Sequence, residues 1–122
     1  MTNKKTLLFL DDDVNRAEYA SKYYIDFEVD FCFNAEQAKF LLKNHKYDYI
    51  SLDHDLLGVP YASSDEKSGY EVAKYICENK ITAEFIIIHS YNEIGSKKML
   101  KLLEQNDYDC AYIPFGSMII KY

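Results

Sequence analysis

At 122 residues the chain is long enough for one domain with a single hydrophobic core and too short for two, so residues 1–122 are read as one domain with one site. Its 14 Lys+Arg against 20 Asp+Glu give a formal charge of −6. With no basic run longer than a Lys-Lys pair, that balance excludes a groove for duplex nucleic acid and leaves a small phosphorylated ligand or a single RNA end as the expected partner. Only a handful of apolar residues precede the first acidic cluster, so no signal peptide or membrane span is read, and a cytoplasmic protein with no membrane partner is expected. Cys32, Cys77 and Cys110 are widely spaced and flanked by apolar residues, which fits reduced core thiols rather than disulfides or a zinc cluster.

Apolar residues 6–10 end at Asp11-Asp12-Asp13, after which Val14, Ala17, Ala20 and Tyr24 recur at helical spacing: strand, acidic loop, helix. Phe27, Val29, Phe31 and Phe33 alternate with Glu28, Asp30 and Cys32, the period of a strand with one wet face at a sheet edge. Asn34-Ala35-Glu36-Gln37 opens a second helix like a capping box, with Ala35, Ala38, Leu41 and Leu42 as its buried stripe. Residues 47–52 read as a strand ending at Asp53, and Ser68-Gly69-Tyr70-Glu71 starts a helix that buries Val72, Ala73, Ile76 and Cys77. Phe85–Ile88 has no polar face and is expected to be a central strand buried on both sides. A helix over residues 94–105 and a fifth strand over 110–113 complete a βαβαβαβαβ order, which calls for a parallel sheet with right-handed crossovers.

Residues 57–68, with Gly58, Pro60 and Ser63-Ser64-Asp65-Glu66-Lys67, form a long connection on the site face, read equally as a lid and as a tolerated surface insertion. After the fifth strand, residues 116–122 are too few for a full closing helix. A sheet face left open there is expected to take a second subunit, making a homodimer.

Ligands of such sheets sit outside the carboxyl ends of the strands. Asp11-Asp12-Asp13 after the first strand and Asp53-His54-Asp55 after the third therefore converge on one crevice. Crowded carboxylates need a cation, and their hard oxygens suit Mg²⁺ or Mn²⁺ with waters and phosphate oxygens completing the shell. The plainer reading, an Asp triplet capping the first helix, explains one cluster but not two.

Three segments, Leu8-Phe9-Leu10-Asp11-Asp12, Ile50-Ser51-Leu52-Asp53 and Ser68-Gly69-Tyr70-Glu71-Val72, together resemble a response-regulator receiver domain over nearly the whole chain. The resemblance implies the three-layer, flavodoxin-like or CheY-like α/β fold with a five-stranded parallel sheet in the order 2-1-3-4-5, here with a truncated or missing last helix. It also implies that Asp11 and Asp12 bind Mg²⁺ and that Asp53 accepts a phosphoryl group. Two departures stand out. Ile113, before Pro114, occupies the place of the lysine that receivers use to hold the phosphoryl oxygen, and strand four ends Ile88-His89-Ser90-Tyr91-Asn92 with an added imidazole. Together with Leu52-Asp53-His54-Asp55-Leu56 and Pro114-Phe115, that pattern resembles the variant called the cyclic-phosphate processing receiver domain. The implied activity is processing of cyclic phosphates, such as the 2′,3′-cyclic ends of cleaved RNA, in RNA repair.

The residue chemistry can be read beside the resemblance. Opening a cyclic phosphodiester needs a base, an acid and positive charge on the phosphoryl oxygens. His54 and His89 are the expected acid and base, against the plainer reading of packed histidines, and a metal on Asp11, Asp12 and Asp53 supplies the charge. Asp53 serves as ligand or transient nucleophile. Arg16, Ser90 and Asn92 are the expected substrate contacts, with Arg16 reading equally as a surface ion pair. Tyr61 and Tyr91 are the stacking candidates, and His45 is a loop residue outside the site. Two other function classes fit the same residues: a divergent receiver acting in signalling, and a non-catalytic module that binds a nucleotide or phosphate.

Overall fold

The computed structural model describes residues 4–56 and 68–116. The expected lid and Tyr61 fall on residues 57–67, and residues 117–122 of the expected short tail also lie outside the described residues. Five strands and four helices alternate: β1 (Lys5–Leu10), α1 (Val14–Tyr23), β2 (Phe27–Cys32), α2 (Ala35–Asn44), β3 (Tyr49–Leu52), α3 (Gly69–Glu78), β4 (Phe85–Ile88), α4 (Glu93–Gln105) and β5 (Cys110–Tyr112). All pairings are parallel and the order is β2-β1-β3-β4-β5, the receiver order that the resemblance implied. Past β5 the described residues end on two helical ones, Phe115 and Gly116. No helix among the described residues is long and apolar enough to cross a membrane.

The period of two divides the strands between two cores. Leu8 and Leu10 of β1, Ile50 and Leu52 of β3, and Ile86 and Ile88 of β4 point to one face, where they pack on Ala38 and Leu42, Val72 and Ile76, and Met99 and Leu103 from α2, α3 and α4. Leu7 and Phe9 point to the other, against Ala20 and Tyr24 around α1, with Phe115 joining from beyond β5. That second face corrects one expectation. Phe85 and Ile87 of β4 are only half-buried, because among the described residues the cluster around α1 reaches β1, β2 and Tyr49 of β3 but not β4. At the opposite edge β2 alternates half-buried Phe27, Val29 and Phe31 with exposed Glu28 and Asp30, as the sequence predicts, although Phe33 lies just past its end.

Each helix starts on a side chain that satisfies its orphan amides. Asp13 Oδ1 accepts from the amides of Asn15 and Arg16, Asn34 from Gln37, Ser68 from Tyr70, and Asn92 from Gly95. In α2 the reciprocal partner of the capping box shifts by one: Gln37 Oε1 accepts from the amide of Phe33. Glu71 of α3 reaches across to Lys39 of α2 at 2.7 Å.

The register fixes the level at which the strands end. Leu10 pairs with Leu52, and Leu52 with Ile88, so the next residues of β1, β3 and β4 emerge side by side. The backbone continues that ladder for one more step, with Asp53 N donating to Leu10 O and His89 N to Leu52 O, both at 3.0 Å. Gly69 brings α3 against the same rim, its amide donating to His54 O at 2.8 Å. A Cβ there would stand 1.7 Å from the carbonyl oxygen of Asp53. Gly69→Ala is therefore expected to cost at least ~2 kcal/mol, since the clash is with backbone rather than a mobile side chain, and urea denaturation against wild type measures it.

Candidate active site at the carboxyl ends of β1, β3 and β4

Asp11 is the centre of the pocket, a buried carboxylate with both oxygens engaged. Arg16, one turn into α1, meets it with two prongs, Nε to Oδ2 at 2.8 Å and Nη2 to Oδ1 at 2.9 Å. The amide of Asp13 donates to Oδ1 at 2.9 Å. His89 Nε2 donates to Oδ2 at 3.0 Å, which leaves Nδ1 to accept the Ser51 hydroxyl at 2.7 Å. Burial alone would push the Asp11 carboxyl up, but the hydrogen bonds from His89 and Arg16 outweigh it and hold the group below its ordinary value.

His89 is wholly buried and clamped. Its ring stacks on Phe9, centroids 4.4 Å apart and planes within 7°, while Phe115 meets it edge-on at 6.3 Å. Burial drives its proton affinity below the usual imidazole value, so it stays neutral in the tautomer that Asp11 and Ser51 require. His89, the expected acid or base, lies buried with its two ring nitrogens at Asp11 and Ser51. Ser51, a lone polar residue in an apolar strand, is the partner that sequence reasoning did not single out.

Asp53 sits beside Asp11 in a different state. Its Oδ1 accepts from the amide of His54 at 2.9 Å, while its buried Oδ2 meets no hydrogen-bond donor among the described residues, with Arg16 Nη2 3.5 Å away. Burial first, and then the charge of Asp11, push its carboxyl up to about 7, against the weaker pull of Ser90 and Arg16. Ser90 is buried and its Oγ accepts from the amide of Asn92. Oxygens of Asp11 and Asp53 and a nitrogen of His89 lie within 4.8 Å of one another, a cluster that could hold a metal ion. Asp12 stands outside that cluster at the half-exposed rim, 3.9 Å from Arg16 Nη2. The donor set fits a hard divalent cation: two carboxylates, one with an orphaned buried oxygen.

His54 belongs to a second, adjoining network. Its ring is buried, with Nδ1 2.9 Å from Asp55 Oδ1, and it packs so closely under α4 that a Cβ at Gly95 would lie 2.6 Å from it. Asn92 is committed to the same network: Oδ1 caps α4 and Nδ2 donates to Asp55 at 3.1 Å. The structure thus brings together Asp11, Arg16, Asp53, His89 and Ser90, and sets His54 and Asn92 beside them. His45 caps the far end of α2 and is exposed, as expected. The three cysteines are free, and burial pushes the Cys32 thiol up to about 12.

A family model described as the cyclic-phosphate processing receiver domain matches residues 6–105. The chain belongs to that family. Among solved structures, this receiver domain is similar to the signal receiver domain of a LuxO repressor protein from Vibrio parahaemolyticus (20% identity, TM-score 0.70, covering 97% of this chain and 85% of that one). It is also similar to the response regulator TrrA from Thermotoga maritima, solved in complex with Mg²⁺-BeF (26%, 0.69, 90% and 85%). A third is the chemotaxis protein CheY4 from Vibrio cholerae (14%, 0.69, 97% and 95%). No curated protein matches the chain.

The raised affinity of Asp53 makes a stability prediction for the metal-free receiver. The folded state keeps a proton that the unfolded chain loses near pH 4, so this group's stabilising contribution is present below that value and disappears as pH rises through about 7. Asp53→Asn removes the dependence. In EDTA its melting temperature at pH 8 should exceed wild type by several degrees, equivalent to ~1–2 kcal/mol, and the two proteins should converge at pH 4.

Proposed function

We propose that this receiver domain opens a cyclic phosphodiester, a 2′,3′-cyclic RNA end or the corresponding nucleotide, in the crevice above β1, β3 and β4. The observation that carries the reading is Asp53: a buried carboxyl whose Oδ2 lacks a donor among the described residues and whose proton affinity sits near neutrality, next to a guanidinium. Ring opening forms a bond from phosphorus to water oxygen and breaks one from phosphorus to a ribose oxygen. One group must take the water's proton and one must return a proton to the leaving oxygen. With no cation on it the Asp53 carboxyl, pushed up to about 7, can do both in turn, whereas a cation held there would lower that affinity and leave Asp53 a ligand only.

The other side chains divide the remaining work. Arg16, once released from Asp11, presents the planar fork that matches two phosphoryl oxygens. Ser90, buried beside Asp53, offers a hydroxyl at the same rim. His89, fixed by Ser51 and Phe9, keeps the Asp11 carboxylate aimed. Tyr91, 59% exposed at the mouth, supplies a flat face for a base. Asp11, Asp12 and Asp53 are the residues that would hold Mg²⁺ or Mn²⁺, and such an ion, when bound, supplies positive charge to the phosphoryl oxygens.

A second reading, phosphoryl acceptance at Asp53 in signalling, draws support from the same orphaned oxygen and from the receiver neighbours, one of them solved with Mg²⁺-BeF. Against it stands Ile113 in the place of the receiver lysine. The test is phosphorus NMR of the protein with 2′,3′-cyclic nucleotides and a cyclic-ended oligonucleotide, in Mg²⁺, Mn²⁺ or EDTA. Conversion to a monophosphate is expected, falling at least ~100-fold in Asp53→Ala. No turnover in any metal, together with a gain of one phosphoryl group from acetyl phosphate, would instead establish the signalling reading.

A further inference from the structure

We propose that Arg16 is a built-in counter-cation that competes with divalent metal for Asp11 and Asp53, and that metal entry moves its guanidinium off the pocket onto the ring of Tyr91. The inference rests on the metal-assisted reading above and concerns how that site is regulated.

Arg16 is the only arginine in a chain with 13 lysines, and it stands where four acids meet. Besides its two bonds to Asp11, its Nη2 lies 3.5 Å from Asp53 Oδ2 and 3.9 Å from Asp12 Oδ1, and its Nη1 lies 3.5 Å from Asp13 Oδ2. An ion held by Asp11 and Asp53 would have to use the carboxylate oxygens that this guanidinium now covers. Two cations cannot share that space: each must be desolvated to reach the buried oxygens, and within a few ångströms they repel.

The exit is already marked. The Arg16 guanidinium carbon lies 5.9 Å from the centroid of the exposed Tyr91 ring, at the outer limit of a cation–π contact. Its side chain keeps 27% of its surface open to solvent, whereas Asp11 has none. A rotation of the long side chain about its α1 anchor therefore exchanges a buried carboxylate for a half-wet aromatic face without moving the backbone. In receivers a lysine near the end of strand five faces the phosphoryl group, and here Ile113 stands in its place. The positive charge instead comes from α1, on a side chain that reaches both the metal position and the pocket mouth.

The uniqueness of Arg16 supplies a direct readout in the unmutated protein. The chain has one arginine Nε–H, so its nitrogen–proton correlation needs no assignment. Held on Asp11, that proton should exchange slowly, and on addition of MgCl₂ its signal is expected to shift and lose its protection. A signal left unchanged at saturating Mg²⁺ would overturn the proposal. In parallel, Mn²⁺ affinity measured by electron paramagnetic resonance of the free ion is expected to tighten about tenfold in Arg16→Gln and to weaken in Tyr91→Leu. Equal Mn²⁺ affinity in wild type and Arg16→Gln would discard the competition while leaving the metal reading intact. Absence of Mn²⁺ binding in both folded proteins would remove the metal reading and this inference with it.

Discussion

The site depends on how one buried charge, the carboxylate of Asp11, is kept ionised away from water. Desolvating a carboxylate costs several kcal/mol unless hydrogen bonds and an opposite charge offset it. Here the offset comes from three directions: the fork of Arg16, the neutral imidazole of His89, and the amide of Asp13. Each partner in turn fixes something larger. Arg16 ties the first turn of α1 to the end of β1. His89 ties the end of β4 to the same point and, through Ser51, to β3. The aromatic packing of Phe9 and Phe115 around His89 extends the constraint into the second core. A polar hub and an apolar layer thus share one ring.

The two neighbouring carboxylates consequently differ in what they lack. Asp11 has donors on both oxygens and lies below its ordinary proton affinity, whereas Asp53 has one satisfied oxygen and is pushed toward neutrality by burial and by Asp11 itself. Paired acids whose environments drive them apart are a common basis for assigning separate roles within one pocket. The first carboxylate is the fixed anion of this site, and the second keeps one oxygen without a hydrogen-bond donor among the described residues and a raised proton affinity.

Much of this was legible in the residues, and the rest was not, for identifiable reasons. Strand and helix order followed from hydrophobic period, and the meeting of Asp11 with Asp53 followed from parallel topology. Arg16 was undecided in sequence because a charged residue in a first helical turn is usually solvated, and only the turn of α1 over the pocket shows its pairing with Asp11. His54 and His89 read alike, each next to a strand end, yet one faces α4 and the other is locked beneath the pocket. Ser51 and Gly95 left little local signal: the role of Ser51 lies in a partner 38 residues away, and that of Gly95 in the room it leaves for a ring. Phe85–Ile88 looked buried on both sides because an apolar run reports composition, not which helices cover each face.

The wet alternation of β2 has a consequence for the molecule in bulk. A free strand edge invites another edge to extend the sheet, and flat apolar edges seed aggregation. Glu28 and Asp30 stand exposed along this one, and Asp30 is anchored by the hydroxyl of Tyr47 at 2.6 Å. Edge-to-edge association of two copies through β2 would crowd these like charges together across the new seam, which is unfavourable. The acidity of this edge therefore disfavours edge-to-edge association of the domain at high concentration.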